Sequence, residues 1–130
     1  MENFPARAPR LIASDIDGTL LDRNHRVPRR NRDAVARAVQ QGAYFALSTG
    51  RPFRWIAPVL EQLPVRPVCV TSNGAVLYDS AEDRVMSAHE LSPAALAEVV
   101  DVAQTVLGTV GFGAERAGGC FLYTSDAADE

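Results

Sequence analysis

The sequence contains no lysine: all thirteen basic residues are arginine. Its two cysteines, Cys69 and Cys120, provide neither a disulfide framework nor a metal-ligand spacing. No apolar run approaches the length of a membrane span, and residues 1–10 lack the apolar core of a signal peptide. We therefore expect a cytoplasmic protein without a membrane partner.

Charge is distributed unevenly along the 130 residues, whose net charge is -3. Residues 1–54 contain ten arginines and five acids, whereas residues 55–130 contain three arginines and eleven acids. A basic first half suits an anionic substrate, although Arg29, Arg30, Arg32 and Arg37 are better explained as a solvated helix face. Because basic and aromatic residues do not interleave, no nucleic acid is expected as a partner. The sequence indicates no protein partner.

Two carboxylates follow a predicted strand. Asp15 and Asp17 follow the apolar run Leu11–Ala13 after one serine, and Gly18 marks a turn. In open parallel sheets, ligands bind at the carboxyl ends of the strands. Two anions about 4 Å apart repel by about 4 kcal/mol at an effective dielectric near 20, which favours a functional reason for the pair. Simple turn chemistry is the alternative for an Asp-x-Asp-Gly segment.

Strand and helix patterns alternate along the chain, which predicts an α/β fold with a parallel sheet and right-handed crossovers. Ser92 is expected to cap the last helix, with Pro93 in its first turn. The predicted elements are, in order, a strand over 10–14, an extended excursion over 18–27, a helix over 29–41, a strand over 43–48, a helix over 52–63, strands over 67–71, 76–78 and 84–90, a helix over 94–107 and a glycine-rich strand region to 121.

Polar residues follow three of these strands. After Asp15 and Asp17 come Thr49-Gly50-Arg51 and then Asn73-Gly74, each at the end of a predicted strand. Because the ends of parallel strands lie side by side, roughly 5 Å apart, these residues are expected to face one ligand. A hydroxyl and backbone N–H groups at a helix start suit a phosphate. Helix capping by Thr49 and a hairpin turn at Asn73-Gly74 are the alternatives.

In this order and at these intervals, the segments Asp15–Leu21, Leu47–Pro52 and Ser72–Ala75 resemble the Cof-type branch of the haloacid dehalogenase-like phosphatases. The resemblance implies a three-layer, Rossmann-like parallel sheet, here incomplete, with the beginning of an inserted α+β cap. It implies that Asp15 is the nucleophile that forms an aspartyl-phosphate, and that Asp17 is the general acid and then the base. It assigns the substrate phosphate to Thr49, Gly50, Arg51 and Asn73.

The resemblance also implies a Mg²⁺ site formed by Asp15 and Asp17, through the carboxylate of the first and the backbone carbonyl of the second. The family pattern then stops. The lysine that stabilises the phosphate in this family has no counterpart in the chain, and neither does the acidic Gly-Asp-x-x-Asn-Asp segment that completes the metal site.

These departures predict a chain that stops inside the cap. We expect an N-terminal tail over 1–9, the N-terminal part of the hydrolase core over 10–90, the start of the cap over 91–121 and a tail over 122–130. This last segment, Leu-Tyr-Thr-Ser-Asp-Ala-Ala-Asp-Glu, resembles the translation of a transposase-type sequencing-library adapter, and we expect it not to be natural protein. A natural acidic tail is the alternative.

The resemblance predicts a Mg²⁺-dependent phosphomonoester hydrolase for the complete protein. Its substrate is expected to be a small phosphorylated metabolite, such as a sugar phosphate or a cofactor phosphate, and the 130-residue chain is expected to have little or no activity. A phosphosugar mutase of the same superfamily and a non-enzymatic phosphoacceptor signalling domain are the alternatives. The acid two positions after Asp15 speaks against the signalling domain.

Overall fold

The computed structural model describes residues 9–117 and 119–121. The predictions for residues 1–8 of the N-terminal tail and for the adapter-like segment 122–130 lie outside the described residues. The chain divides after Ser87 into two compact units, which we call the first and the second unit.

The first unit is built on a sheet with strand order β1-β2-β3-β4-β5. Strands β1, β2 and β3 run parallel, and β4 is antiparallel to β3. The α/β prediction is confirmed, but the sheet is mixed, because a parallel neighbour needs a crossover of about a dozen residues and only residues 72–75 separate β3 from β4. The elements are β1 (Leu11–Ser14), α1 (Arg29–Gln40), β2 (Tyr44–Ser48), α2 (Ala57–Leu60), β3 (Val68–Thr71), β4 (Val76–Asp79) and β5 (Arg84–Ala88).

One face of this sheet carries the core. Leu47, Cys69 and Tyr78 are register partners, so they point to the same face, and all three are buried. They join one cluster with Val35 of α1 and Val59 of α2. The opposite face is more open: its large side chains include those of Leu11, Tyr44 and Val68, which are 58%, 74% and 39% exposed. The core therefore fixes the strands from one side.

The prediction of one continuous helix over 52–63 is wrong. The chain instead forms a 3₁₀ turn over Phe53–Trp55 and the short helix α2. Pro58 has no N–H group, so it is tolerated in the first turn of a helix and not in its interior. A new helix therefore starts at Ala57, immediately before this proline.

The segment 18–27 is not the extended excursion that we predicted. Ile16–Leu20 form a wide helical turn, closed by the N–H group of Leu21 on the carbonyl of Ile16 at 3.0 Å. The chain then makes a tight turn over 22–26, in which the Asp22 N–H group donates to the Arg26 carbonyl at 2.8 Å. The Asp22 carboxylate accepts the N–H groups of Asn24 and Arg26, and such local hydrogen bonds compete with strand pairing.

The second unit contains α3 (Pro93–Leu107) and an antiparallel pair, β6 (Ala114–Arg116) and β7 (Gly119–Phe121). The Ser92 hydroxyl accepts the N–H group of Ala95 at 3.2 Å, which confirms the predicted cap. No residue of α3 is buried. Within the described part of the chain, no helix has both the length and the apolar character that a membrane crossing requires.

Candidate active site

The two carboxylates of the sequence motif lie where the chain leaves β1. Asp15 and Asp17 are exposed, whereas Ile16 between them is fully buried in the core. Because the intervening side chain points inward, the two acids project away from the core at the strand end. Gly18 follows with φ +75°, a backbone conformation that suits glycine, so the chain turns immediately after the pair.

The Asp15 carboxylate makes few contacts. Its Oδ2 atom accepts a hydrogen bond from the Thr19 hydroxyl at 3.4 Å. A bond of this length is weak. The Asp15 backbone is held separately, because its carbonyl accepts the Ser14 hydroxyl at 2.9 Å. Asp15 therefore combines a fixed backbone with carboxylate oxygens that are available to a ligand.

Asp17 is paired with Arg51, which follows β2. The Arg51 Nε and Nη2 atoms donate to Asp17 Oδ2 and Oδ1 at 2.7 and 2.5 Å, so the guanidinium spans both carboxylate oxygens. The hydrogen bonds from Arg51 are the main cause that lowers the pKa of Asp17 below its ordinary 3.8. Burial acts in the opposite direction, and the positive charge of Arg51 lowers the pKa further. Asp17 is therefore ionised at neutral pH.

Thr49 lies at the end of β2 with its side chain buried. Its N–H group donates to the Val70 carbonyl at 2.9 Å, so pairing with β3 continues up to the loop. Its hydroxyl oxygen accepts the Arg51 N–H group at 3.1 Å. A threonine hydroxyl that accepts one bond still has its own hydrogen to donate. Thr49 can therefore donate to an anion at this edge.

The loops after β2 and β3 are joined by their backbones. The Asn73 N–H group donates to the Thr49 carbonyl at 3.2 Å, and the Ser72 N–H group donates to the Arg51 carbonyl at 2.9 Å. A Cβ atom at Gly50 would lie 2.9 Å from Asn73 Oδ1, so a larger residue at position 50 would require the Asn73 side chain to move. Ser72 and Asn73 have φ values of +51° and +55°, and such backbone strain is often found at functional sites.

The structure links Asp17, Arg51, Thr49 and Asn73 at the carboxyl ends of β1, β2 and β3. Among the described residues, no hydrogen bond joins the Asp15 carboxylate to Thr49 or Asn73. The sequence did not reveal the Arg51–Asp17 pair or the Thr19 contact. The parallel register, with Ser14 opposite Leu47, brings the loops after β1 and β2 to the same edge of the sheet, but no sequence signal indicated that Arg51 would pair with Asp17.

The pairing of Arg51 with Asp17 reduces the number of oxygen atoms that could bind a magnesium ion. Both carboxylate oxygens of Asp17 accept hydrogen bonds, which leaves the Asp15 carboxylate and the Asp17 backbone carbonyl. Mg²⁺ binds oxygen ligands and commonly uses one or two carboxylates together with water and substrate phosphate, so this donor set fits the ion. Over residues 9–117 and 119–121, no group of three histidine, cysteine, aspartate or glutamate side chains could hold a metal.

The fold and this edge define an α/β protein with a candidate phosphate-handling site. Comparison with known families agrees with that class: the family model described as haloacid dehalogenase-like hydrolase matches residues 12–127. The chain belongs to the haloacid dehalogenase-like hydrolase family.

Similar proteins include two from Bacillus subtilis (strain 168). The phosphatase YwpJ is 37% identical over 70 residues, which are 54% of this chain and 25% of YwpJ. The 5-amino-6-(5-phospho-D-ribitylamino)uracil phosphatase YcsE is 37% identical over 71 residues, which are 55% of this chain and 28% of YcsE. The matched part of the chain thus spans about a quarter of the length of these relatives.

A solved haloacid dehalogenase-like hydrolase from B. subtilis has a similar fold. It aligns with a TM-score of 0.66 and 29% sequence identity, and the alignment covers 74% of this chain and 33% of that structure. This likeness supports the Rossmann-like α/β architecture that the sequence predicted.

Proposed function

We propose that this chain carries the phosphoryl-accepting part of a Mg²⁺-dependent phosphomonoester hydrolase. The observation that supports this most is the state of the two acids: Asp15 keeps available oxygens, whereas Asp17 is fixed by Arg51 beside the buried Thr49 hydroxyl. The two acids thus have different environments, as different chemical roles require. The relatives YwpJ and YcsE are named phosphatases, which agrees with the proposal.

The proposed reaction has two steps. An Asp15 carboxylate oxygen attacks phosphorus, the bond from phosphorus to the ester oxygen breaks, and Asp17 gives a proton to the leaving oxygen. Asp17 then removes a proton from water, which attacks the phosphorus of the aspartyl-phosphate and releases phosphate and the free Asp15 carboxylate. Asp15 and the Asp17 carbonyl would hold Mg²⁺, which when bound offsets the repulsion between a carboxylate and a phosphate dianion.

Arg51 affects the proposed reaction because its guanidinium is hydrogen-bonded to both carboxylate oxygens of Asp17. An ionised Asp17 is ready to accept a proton, but it cannot donate one until the guanidinium releases it and a proton binds. A phosphoryl group beside Thr49 would offer Arg51 another pair of anionic oxygens, which the planar guanidinium can bind through two N–H groups. We propose that Arg51 moves from Asp17 to the phosphate, together with donors from Thr49, Gly50 and Asn73.

The proposed substrate is a small phosphorylated metabolite, such as a sugar phosphate or a cofactor phosphate. YcsE is named for a substrate of this size, which carries its phosphate on a ribityl chain.

A cytoplasmic location stays a prediction. The 130-residue chain contains no lysine. Loss of one electrostatic stabiliser commonly lowers a rate by about 10²–10³, so we expect little turnover of phosphate esters by the chain alone.

Acetyl phosphate tests the proposal directly, because its carboxylate leaving group needs no proton from Asp17. We expect slow Mg²⁺-dependent phosphate release by the 130-residue chain, and loss of this release in Asp15→Asn. Asp33→Asn is the matched control, since Asp33 lies on α1 in an exposed pair with Arg29. Equal release by wild type and Asp15→Asn would refute the role of Asp15.

A second measurement separates the hydrolase from a phosphoacceptor signalling domain. If Asp17 activates water, the label that acetyl phosphate leaves on the protein should persist longer in Asp17→Asn than in wild type. A wild-type label as long-lived as that of Asp17→Asn would favour the signalling domain.

A further inference from the structure

A polar cavity lies in the first unit, between the loop over 24–27, α1 and the residues at the end of α2. Its volume is about 470 Å³, which is within the usual range of small-molecule sites. Its lining includes His25 and Arg26 from the loop, Arg32 from α1, and Glu61 and Gln62 from the residues that follow α2. None of these residues belongs to the proposed catalytic network.

The loop that forms one wall is held in place by specific hydrogen bonds. Asp22 Oδ1 accepts the N–H groups of Asn24 and Arg26 at 2.8 and 2.9 Å. The N–H group of Val27, a buried residue, donates to Gln62 Oε1 at 2.8 Å, and Gln62 Nε2 donates to the Pro58 carbonyl at 2.9 Å. The Gln62 amide therefore ties the loop to α2.

Positive charge dominates this region. Residues 23–32 contain five arginines and no acid. Of the described residues, none forms an ion pair with Arg26 or Arg32, whereas Arg29 is paired with Asp33. The lining contains one acidic side chain, Glu61, and two arginines, Arg26 and Arg32. The cavity therefore has an excess of positive charge. Arginine binds phosphate and carboxylate groups through its planar set of donors.

We propose that this cavity binds the phosphate or carboxylate group of a small molecule, with Arg26 and Arg32 as the principal contacts. The anion has two possible sources, a second anionic group on the substrate of the proposed reaction or a separate metabolite. Only the first source rests on the proposed function.

The test is a titration of the uniformly ¹⁵N-labelled 130-residue chain with inorganic phosphate, followed by the amide shifts of residues 24–27. We expect saturable shifts, about tenfold weaker binding in both Arg26→Gln and Arg32→Gln, and a change of less than about twofold in Arg30→Gln. Arg30 is a matched control, because it lies on the same helix as Arg32 but outside the lining. Glu61→Gln should tighten binding by about threefold, a gain that partial unfolding could not produce.

Two results would overturn the proposal. One is the absence of saturable shifts at residues 24–27, even if Thr49 and Gly50 respond. The other is equal weakening in Arg30→Gln and Arg32→Gln, which would indicate general attraction to a basic surface. Because the two sites report through different amides, failure at Thr49 with binding at residues 24–27 would count against the catalytic site alone.

Fructose 1,6-bisphosphate, which carries two phosphates, distinguishes the sources of the anion. If one molecule reaches both sites, Thr49→Val should weaken the response of residues 24–27 to the bisphosphate but not to inorganic phosphate. If the cavity takes a separate metabolite, Thr49→Val should leave both responses unchanged. Both outcomes support an anion site in the cavity, and they assign it to different ligands.

Discussion

The two units of the chain use their apolar residues in different ways. In the first unit, Leu47 and Val59 are buried in one cluster with Cys69 of β3 and Tyr78 of β4. In the second unit, α3 buries no residue, and Val106 and Leu107 are 73% and 68% exposed. Both regions are rich in apolar residues, but only in the first does packing fix strand ends that carry polar loops. Composition alone therefore does not show where a site can be built.

Matched truncations in the two units should give the largest difference. Leu47→Ala removes a fully buried side chain and should lower the free energy of unfolding by about 2–5 kcal/mol. Val102→Ala removes an exposed side chain from α3 and should change it by less than about 0.5 kcal/mol. Denaturant unfolding followed by circular dichroism measures both. Similar losses in the two variants would contradict the proposed difference in packing between the units.

Arg51→Gln should have a smaller effect, confined to the loops of the first unit. Without the guanidinium, the pKa of Asp17 should rise toward its ordinary 3.8, which NMR titration of the carboxylate would show. Because the folded pKa is lowered, the pair contributes stability above pH 3.8 and loses it as the pH falls through the lower folded value. Exposed pairs contribute about 1 kcal/mol or less, and Asp17 is 53% exposed. A Gln variant with an unchanged Asp17 titration would contradict the pairing.

Tyr78→Phe tests how a buried residue of the first unit's core affects stability at alkaline pH. Burial, with the hydrogen bond from its hydroxyl to Asp83 at 2.6 Å, raises the pKa of Tyr78 to about 12. A raised pKa means that this contribution to stability is present below pH 10 and is lost as the pH rises toward 12. Unfolding followed between pH 9 and pH 12 should therefore be less pH-dependent in Tyr78→Phe. Tyr44→Phe, on the exposed face, is the matched control.

The sequence predicted those elements whose signals are local. β2 was predicted over 43–48 and found at Tyr44–Ser48, and α1 was predicted over 29–41 and found at Arg29–Gln40, because apolar periodicity and a following glycine define them. The helix over 52–63 was predicted too long because Pro58 was not weighed as a new start. The hairpin between β3 and β4 makes the sheet mixed. The alternation of strands and helices did not indicate this, whereas the hairpin-turn alternative at Asn73-Gly74 is confirmed.

The candidate site was predictable in its positions but not in its contacts. Strand ends placed Asp17, Thr49 and Asn73 at one edge, since that follows from parallel pairing. Which residue pairs with Arg51 depends on the conformations of the loops that follow β1 and β2. The first loop contains the helical turn after Asp15, and the second contains the hydrogen bond from the Arg51 N–H group to the Thr49 hydroxyl. Neither feature has a sequence signal of its own.

The most direct measurement locates the phosphoryl group on the protein. The 130-residue chain would be treated with acetyl phosphate and Mg²⁺, the acyl-phosphate reduced with borohydride, and the modified residue identified by peptide mass spectrometry. The account predicts modification at Asp15 and nowhere else in the first unit. Modification at Asp17 or Asp22 with Asp15 unmodified would contradict it.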